Sequence, residues 1–238
     1  MGELIMSKKR WFVVITLLFI GIGVMGFPYI NRFVTEYKMT QEVQKIKKFD
    51  SSTAYASTNA KKKHRNVAPG YLSVPKLGIE YPIHEDSSKK TLNEGVGIIV
   101  NLDRPGDGTG SLTAIPGHRG WWGTPMFLNL PQMQPGDVFT ISWRGEKLYY
   151  RVYENKIFLA NELDKVQRFE NEERLILVTC HPYGKNTHRF LVYADRINNK
   201  GQKMVDVRSK ADNKKQNLAN YRKPSDSDAA AVANAGQK

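Results

Sequence analysis

The hydrophobic positions of this chain fall into two regimes. Residues 11–30, from Trp11 to Ile30, run on without a charge for about 20 residues, enough to cross a bilayer as a helix. From Tyr71 onward the apolar residues come in short β-branched and aromatic runs cut by Gly, Pro, Asn and Asp. These predict strands over 71–74, 79–83, 97–100, 112–115, 137–143, 147–158, 174–180 and 188–197. About eight strands in roughly 130 residues is the pattern of an all-β closed barrel or sandwich. Gly136-Asp137 and Arg144-Gly145 mark turns, the second joining two long strands as a hairpin. Residues 126–130, bounded by Pro125 and Pro131, are expected as one short helix.

The flanks set the topology. Lys8-Lys9-Arg10 precede the apolar run, which by the positive-inside rule places the N-terminus in the cytoplasm and everything after Ile30 outside. A cleaved signal peptide would have a shorter apolar stretch ending in small residues. The exit here reads Gly26-Phe27-Pro28-Tyr29-Ile30-Asn31-Arg32, without an Ala-x-Ala pattern, so an uncleaved anchor is expected. Residues 31–70 form a polar connector, with room for a turn or two of amphipathic helix around 36–49 and a Ser-, Thr-, Asn- and Lys-rich stalk from 51 to 69. After Asn199 the composition turns to Lys, Asn, Asp and Ala, as in a disordered basic tail. The expected division is 1–37 for a cytoplasmic stub and transmembrane anchor, 38–70 for a flexible stalk, 71–198 for the folded domain and 199–238 for the tail.

Charge narrows the partners. The net charge is +13 and the pI about 9.7, which suits nucleic acid, an anionic membrane or wall polymer, or an acidic peptide. The basic residues gather outside the strand-rich region, at 8–10, 61–65 and along the tail. No zinc-finger spacing and no aromatic RNA-binding signature accompanies them, which argues against nucleic acid. The single cysteine excludes an intramolecular disulfide and any multi-cysteine metal site. Burial as an inert core residue is its ordinary fate.

Its setting points elsewhere. Leu175-Ile176-Leu177-Val178-Thr179 is an apolar strand ending in Cys180, and Pro182-Tyr183-Gly184 then breaks it. A thiol at a strand end facing a loop is where a positioned nucleophile is expected, and such a nucleophile needs a proton acceptor and a group that stabilises an oxyanion. Of the five histidines, His64 falls in the stalk and His84 beside Glu85-Asp86 at a strand end. His181 neighbours Cys180 and points to the opposite face of an extended segment. Of His188 and Arg189 only one can face the site. His118 sits in Pro116-Gly117-His118-Arg119-Gly120, where a strand opens into a glycine-containing loop, and is the best placed of the five.

These residues resemble a known family. Leu177, Val178, Thr179 and Cys180 are similar to the Thr-Leu-x-Thr-Cys signature of sortases, with Ile176 in place of the first Thr. Gly117-His118 resembles the family's Gly-His, and Arg189 lies where its essential Arg is expected. The run from Cys180 through His181-Pro182-Tyr183, Asn186 and His188-Arg189 to Val192 resembles class C, the pilin-polymerising sortases, as does His118-Arg119-Gly120. Leu72-Ser73-Val74-Pro75-Lys76-Leu77-Gly78-Ile79 and Pro82-Ile83 resemble the family's opening strands. The resemblance covers about residues 71–198.

It implies an eight-stranded sortase-type barrel with short helices and a groove for a Leu-Pro-x-Thr-Gly-like sorting signal. Cys180 would be the nucleophile, His118 the acid/base and Arg189 the group stabilising the reacting carbonyl, with Thr179 assisting. The acceptor would be an amine, from a pilin Lys or a cell-wall precursor. No metal or organic cofactor is required. Class C enzymes usually add a second, C-terminal span and a lid with an Asp-Pro-aromatic motif. This tail is polar and no Asp-Pro dipeptide occurs, so the topology is like class A and the groove is expected open. The rival readings are a hydrolytic cysteine protease with the same dyad, an L,D-transpeptidase-like wall enzyme, whose Ser-x-Gly-Cys surroundings are absent, and a non-catalytic wall-binding surface protein.

Overall fold

The structure, a computed structural model, describes residues 8–51, 67–120, 124–162, 166, 168 and 171–203. One long helix, α1 (Lys8–Ser51), precedes β1 (Gly70–Val74), β2 (Ile79–His84), the short α2 (Lys89–Glu94), β3 (Val96–Gly97) and β4 (Leu112–Pro116). Then come β5 (Val138–Trp143), β6 (Glu146–Leu159), β7 (Arg174–His181) and β8 (His188–Ile197). The eight strands form one sheet in the order β3-β2-β1-β5-β6-β8-β7-β4. The segment after β3 brings the two ends together: the N–H of Ile99 donates to the carbonyl of Ala114 at 3.2 Å and that of Asp103 to Leu112 at 3.1 Å. The sheet is thereby a nearly closed barrel, as the strand pattern predicts.

Alternation along the strands sorts side chains into two cores. Leu72, Phe139, Tyr150, Leu175, Leu177 and Val192 belong to the barrel interior. Ile99, Leu112, Ala114, Ile176, Val178 and Leu191 form a second cluster on the opposite face of β4, β7 and β8. β7 is therefore buried on both faces, which explains its unbroken apolar run. In the hairpin between β5 and β6, Arg144 and Gly145 both take positive φ, 50° and 87°, the two-residue turn that matches strand twist.

Two expectations about the barrel's elements change. Regular pairing in β3 covers only Val96–Gly97, because the chain leaves β2 there to bridge to β4. No α-helix occupies 126–130. Met126 has φ 43°, the turn runs on three-residue hydrogen bonds, and only Leu130–Gln132 makes a 3-10 turn, since Pro125 and Pro131 lack the N–H that a helix needs. α2, by contrast, escaped the sequence reading. It starts on Ser88, whose hydroxyl accepts from the N–H of Thr91 while Asp86 accepts from the Thr91 hydroxyl.

α1 has two parts. Its first half exposes Phe12, Phe19, Val24 and Met25 all round, and it is the one helix among the described residues long and apolar enough to cross a membrane. Its second half continues through the stretch expected as the start of the stalk. Met39, Val43 and Ile46, on one helical face, are buried against the barrel, where the helix meets β1, β2 and α2. Polar ties flank them. Lys47 pairs with Glu80 at 2.7 Å, Glu42 accepts from the N–H of Ala68, and Ser142 donates to Asp50. The stalk from 52 to 66 and the tail beyond 203 lie outside the described residues.

Candidate active site

Two strand pairings build the site. β4 runs parallel to β7, with Leu112 opposite Arg174 and Pro116 opposite Val178. Two residues beyond that last pair come His118 and Cys180. Across the antiparallel β7–β8 ladder, Cys180 lies opposite Arg189. His118, Cys180 and Arg189 thus occupy one row across three adjacent strands, or in the case of His118 the loop that continues one. Alternation puts Cys180 on the face of Ile176 and Val178, and Arg189 on that of Leu191 and Tyr193, so both look away from the barrel interior.

The loop carrying His118 is held tightly. The Gly117 N–H donates to the Val178 carbonyl at 3.0 Å, and the Thr179 hydroxyl donates to the Gly117 carbonyl at 2.9 Å. Thr179 therefore spends its hydroxyl on the loop. A Cβ at Gly117 would lie 2.7 Å from the ring of Phe127 and 3.1 Å from Val96, so only glycine permits this approach. The His118 imidazole is joined at Nε2 by the side-chain oxygen of Asn93, on α2, at 3.3 Å. Asn93 comes from a distant segment, and no local pattern marked it.

Burial is the leading influence on the titrating groups of the site. Cys180 is only 7% exposed, and burial pushes its thiol up against the pull of Arg189 and then Arg119. Burial, and then the charge of Lys89, hold the His118 imidazole below the usual histidine range. Arg189 is 1% exposed, and its Nη1 donates to the carbonyls of Asn186 and His188, each at 2.9 Å. Asn186 turns its carbonyl inward from a left-handed conformation, φ 57°. A buried thiol, an imidazole and a guanidinium in one row are groups of the kind that acyl transfer through a thioester requires. Among the described residues no group of three or more His, Cys, Asp and Glu side chains converges as a metal site requires.

A sortase-domain model matches residues 72–197, more than half of the chain. The chain belongs to the sortase family. Sortase D of Bacillus subtilis (strain 168) is 26% identical over 191 residues, which cover 74% of this chain and 93% of that protein. Among solved structures, sortase C-1 of Actinomyces oris is 29% identical with a TM-score of 0.53, covering 63% of this chain and 87% of that one. A pilus-related sortase C of Group B Streptococcus is 26% identical with a TM-score of 0.56, covering 68% and 92%. Sortases are cysteine transpeptidases, and this sortase has near its N-terminus an apolar helix long enough to cross a membrane, which suggests an anchor as in sortases.

Proposed function

We propose that this sortase cleaves a Leu-Pro-x-Thr-Gly-like sorting signal and transfers it to an amine, with Cys180, His118 and Arg189 as its catalytic residues. The alignment of these three in one row across β4, β7 and β8 carries the reading. The Cys180 thiolate attacks the Thr carbonyl, and the C–N bond to Gly breaks. His118, protonated, gives its proton to the departing amine, leaving a thioester on Sγ. An incoming amine attacks that thioester, passes its proton to His118, and releases the thiolate. Arg189 stabilises the oxyanion of both tetrahedral intermediates, its planar charged fork being held from behind by two backbone carbonyls. α1 anchors the enzyme with its N-terminus in the cytoplasm and the barrel outside, following the Lys8-Lys9-Arg10 cluster. The accepting amine is a pilin Lys or a wall precursor, and the likeness to class C structures favours the pilin.

The test is product analysis. The full chain in detergent receives a fluorogenic sorting peptide with and without a primary amine. A Thr–amine conjugate as main product supports the reading. Hydrolysed peptide at the same rate in both conditions makes it a protease, and an uncut peptide refutes both.

A further inference from the structure

A polar cluster at the end of β7 is not used by the mechanism above. Arg119, next to His118, sends Nη1 to the Cys180 carbonyl at 3.3 Å and to Nδ1 of His181 at 2.5 Å. Its Nε–H is buried without an acceptor among the described residues. The His181 ring rests on Phe190, with centroids 6.1 Å apart. The following residue adds a second point of fit: Gly120 has φ 85°, and a Cβ there would meet the Tyr183 ring at 3.2 Å. The loop after β4 and the loop after β7 are thus joined on either side of the nucleophile.

The chemistry of the contact favours one protonation state. A guanidinium has five N–H donors and no acceptor, so the His181 nitrogen facing it must carry the lone pair. His181 is then neutral, with its proton on Nε2. The charged and titratable groups facing it are Arg119 from the β4 side and His188 from β8, while Cys180, its neighbour on β7, points to the other face. Burial, then Arg119, then His188, all hold its imidazole below the usual histidine range. Protonating His181 would set a cation against Arg119 and remove the acceptor at once.

We propose that Arg119 is a positioning residue that clamps the His118 loop to Cys180, through the cysteine's own carbonyl and a neutral His181, and that protonation of His181 in acid opens the clamp. The half-buried guanidinium also places a second positive charge beside the thiol, and its one buried donor, Nε–H, favours nearby negative charge. The proposal rests on the transpeptidase reading above, so the test includes a readout that needs no sorting signal.

The full chain in detergent is compared with Arg119→Met, Arg119→Lys and His181→Gln. Alkylation of Cys180 by iodoacetamide is followed between about pH 5 and pH 10, since only the thiolate reacts. Arg119→Met should slow alkylation at neutral pH about threefold or more, the effect of half a pKa unit, and Arg119→Lys should recover most of it. With a sorting peptide, Arg119→Met should lose about tenfold in kcat with KM changed less than about twofold. His181→Gln offers an acceptor that does not titrate, so its ratio of acid to neutral activity should exceed the parent's about threefold or more. Parent-like alkylation and kcat in Arg119→Met would overturn the clamp, and a parent-like acid limb in His181→Gln would overturn the switch. If Arg119→Met does not fold, Arg119→Lys and His181→Gln decide by the same criteria. If no peptide is cut, the transpeptidase reading fails, while the alkylation profiles still decide the clamp.

Discussion

The Thr179 hydroxyl donates a hydrogen bond to the Gly117 carbonyl at 2.9 Å, tying the residue before the cysteine to the residue before the histidine. Both ends are buried, so losing the donor strands a carbonyl. Thr179→Val, which keeps the shape, should cost about 1–3 kcal/mol of stability and lower kcat more than it changes KM. Thr179→Ser should retain both. Denaturant melts and steady-state kinetics on the three proteins check this.

Gly117 is held by contact rather than by conformation. An alanine methyl would overlap the Phe127 ring at 2.7 and 2.8 Å and crowd Val96. Gly117→Ala should therefore destabilise the barrel by about 1–3 kcal/mol and displace His118, with a fall in kcat. Trimming the ring in a Gly117→Ala, Phe127→Leu double variant should recover part of the activity, and no recovery would mean the damage has another origin.

Each member of the row should matter to turnover. Cys180→Ala should abolish transpeptidation, and His118→Ala and Arg189→Ala should each lose about two orders of magnitude or more, the scale of an acid/base or oxyanion group. Near-normal turnover by Arg189→Ala would remove it from the mechanism.

The docked half of α1 should be needed for a stable barrel. A fragment of residues 38–203 keeps Met39, Val43 and Ile46, whereas one of residues 65–203 exposes the surface they cover. Full burial of such a side chain contributes about 1.5–3 kcal/mol. The shorter fragment should melt lower by thermal denaturation; equal melting temperatures would show that the helix rests on the barrel without supporting it.

The two shifts at the dyad set a pH profile. Burial raises the Cys180 thiol, and burial with Lys89 lowers the His118 imidazole, so each favours its neutral form and most molecules at neutral pH hold thiol and imidazole. Turnover needs thiolate and imidazolium together. A plot of kcat/KM against pH should be a bell, rising through the depressed histidine pKa and falling above the raised cysteine pKa. Lys89→Gln removes one cause of the depression and should move the acid limb to higher pH; an unmoved limb would assign it to another group.

The strands, the long apolar helix and the strand-end position of Cys180 were legible in the chain because each leaves a local mark. Period-two alternation reports which face a strand buries, an uncharged run of about 20 residues reports a helix long enough to cross a bilayer, and the apolar run 175–179 reports the strand that Cys180 closes. Other features depend on which segments meet. The parallel pairing of β4 with β7 levels His118 with Cys180 although a hairpin lies between them in sequence, and no local periodicity encodes that register. Asn93 reaches His118 from a helix whose turn signal was too short to stand out. Met39, Val43 and Ile46 sit in a polar stretch that has no reason to be buried until the outer surface of β1 and β2 is presented to it. Arg119 and His181 look like two unrelated residues until the ends of β4 and β7 are brought side by side, and only that packing puts the guanidinium against the imidazole.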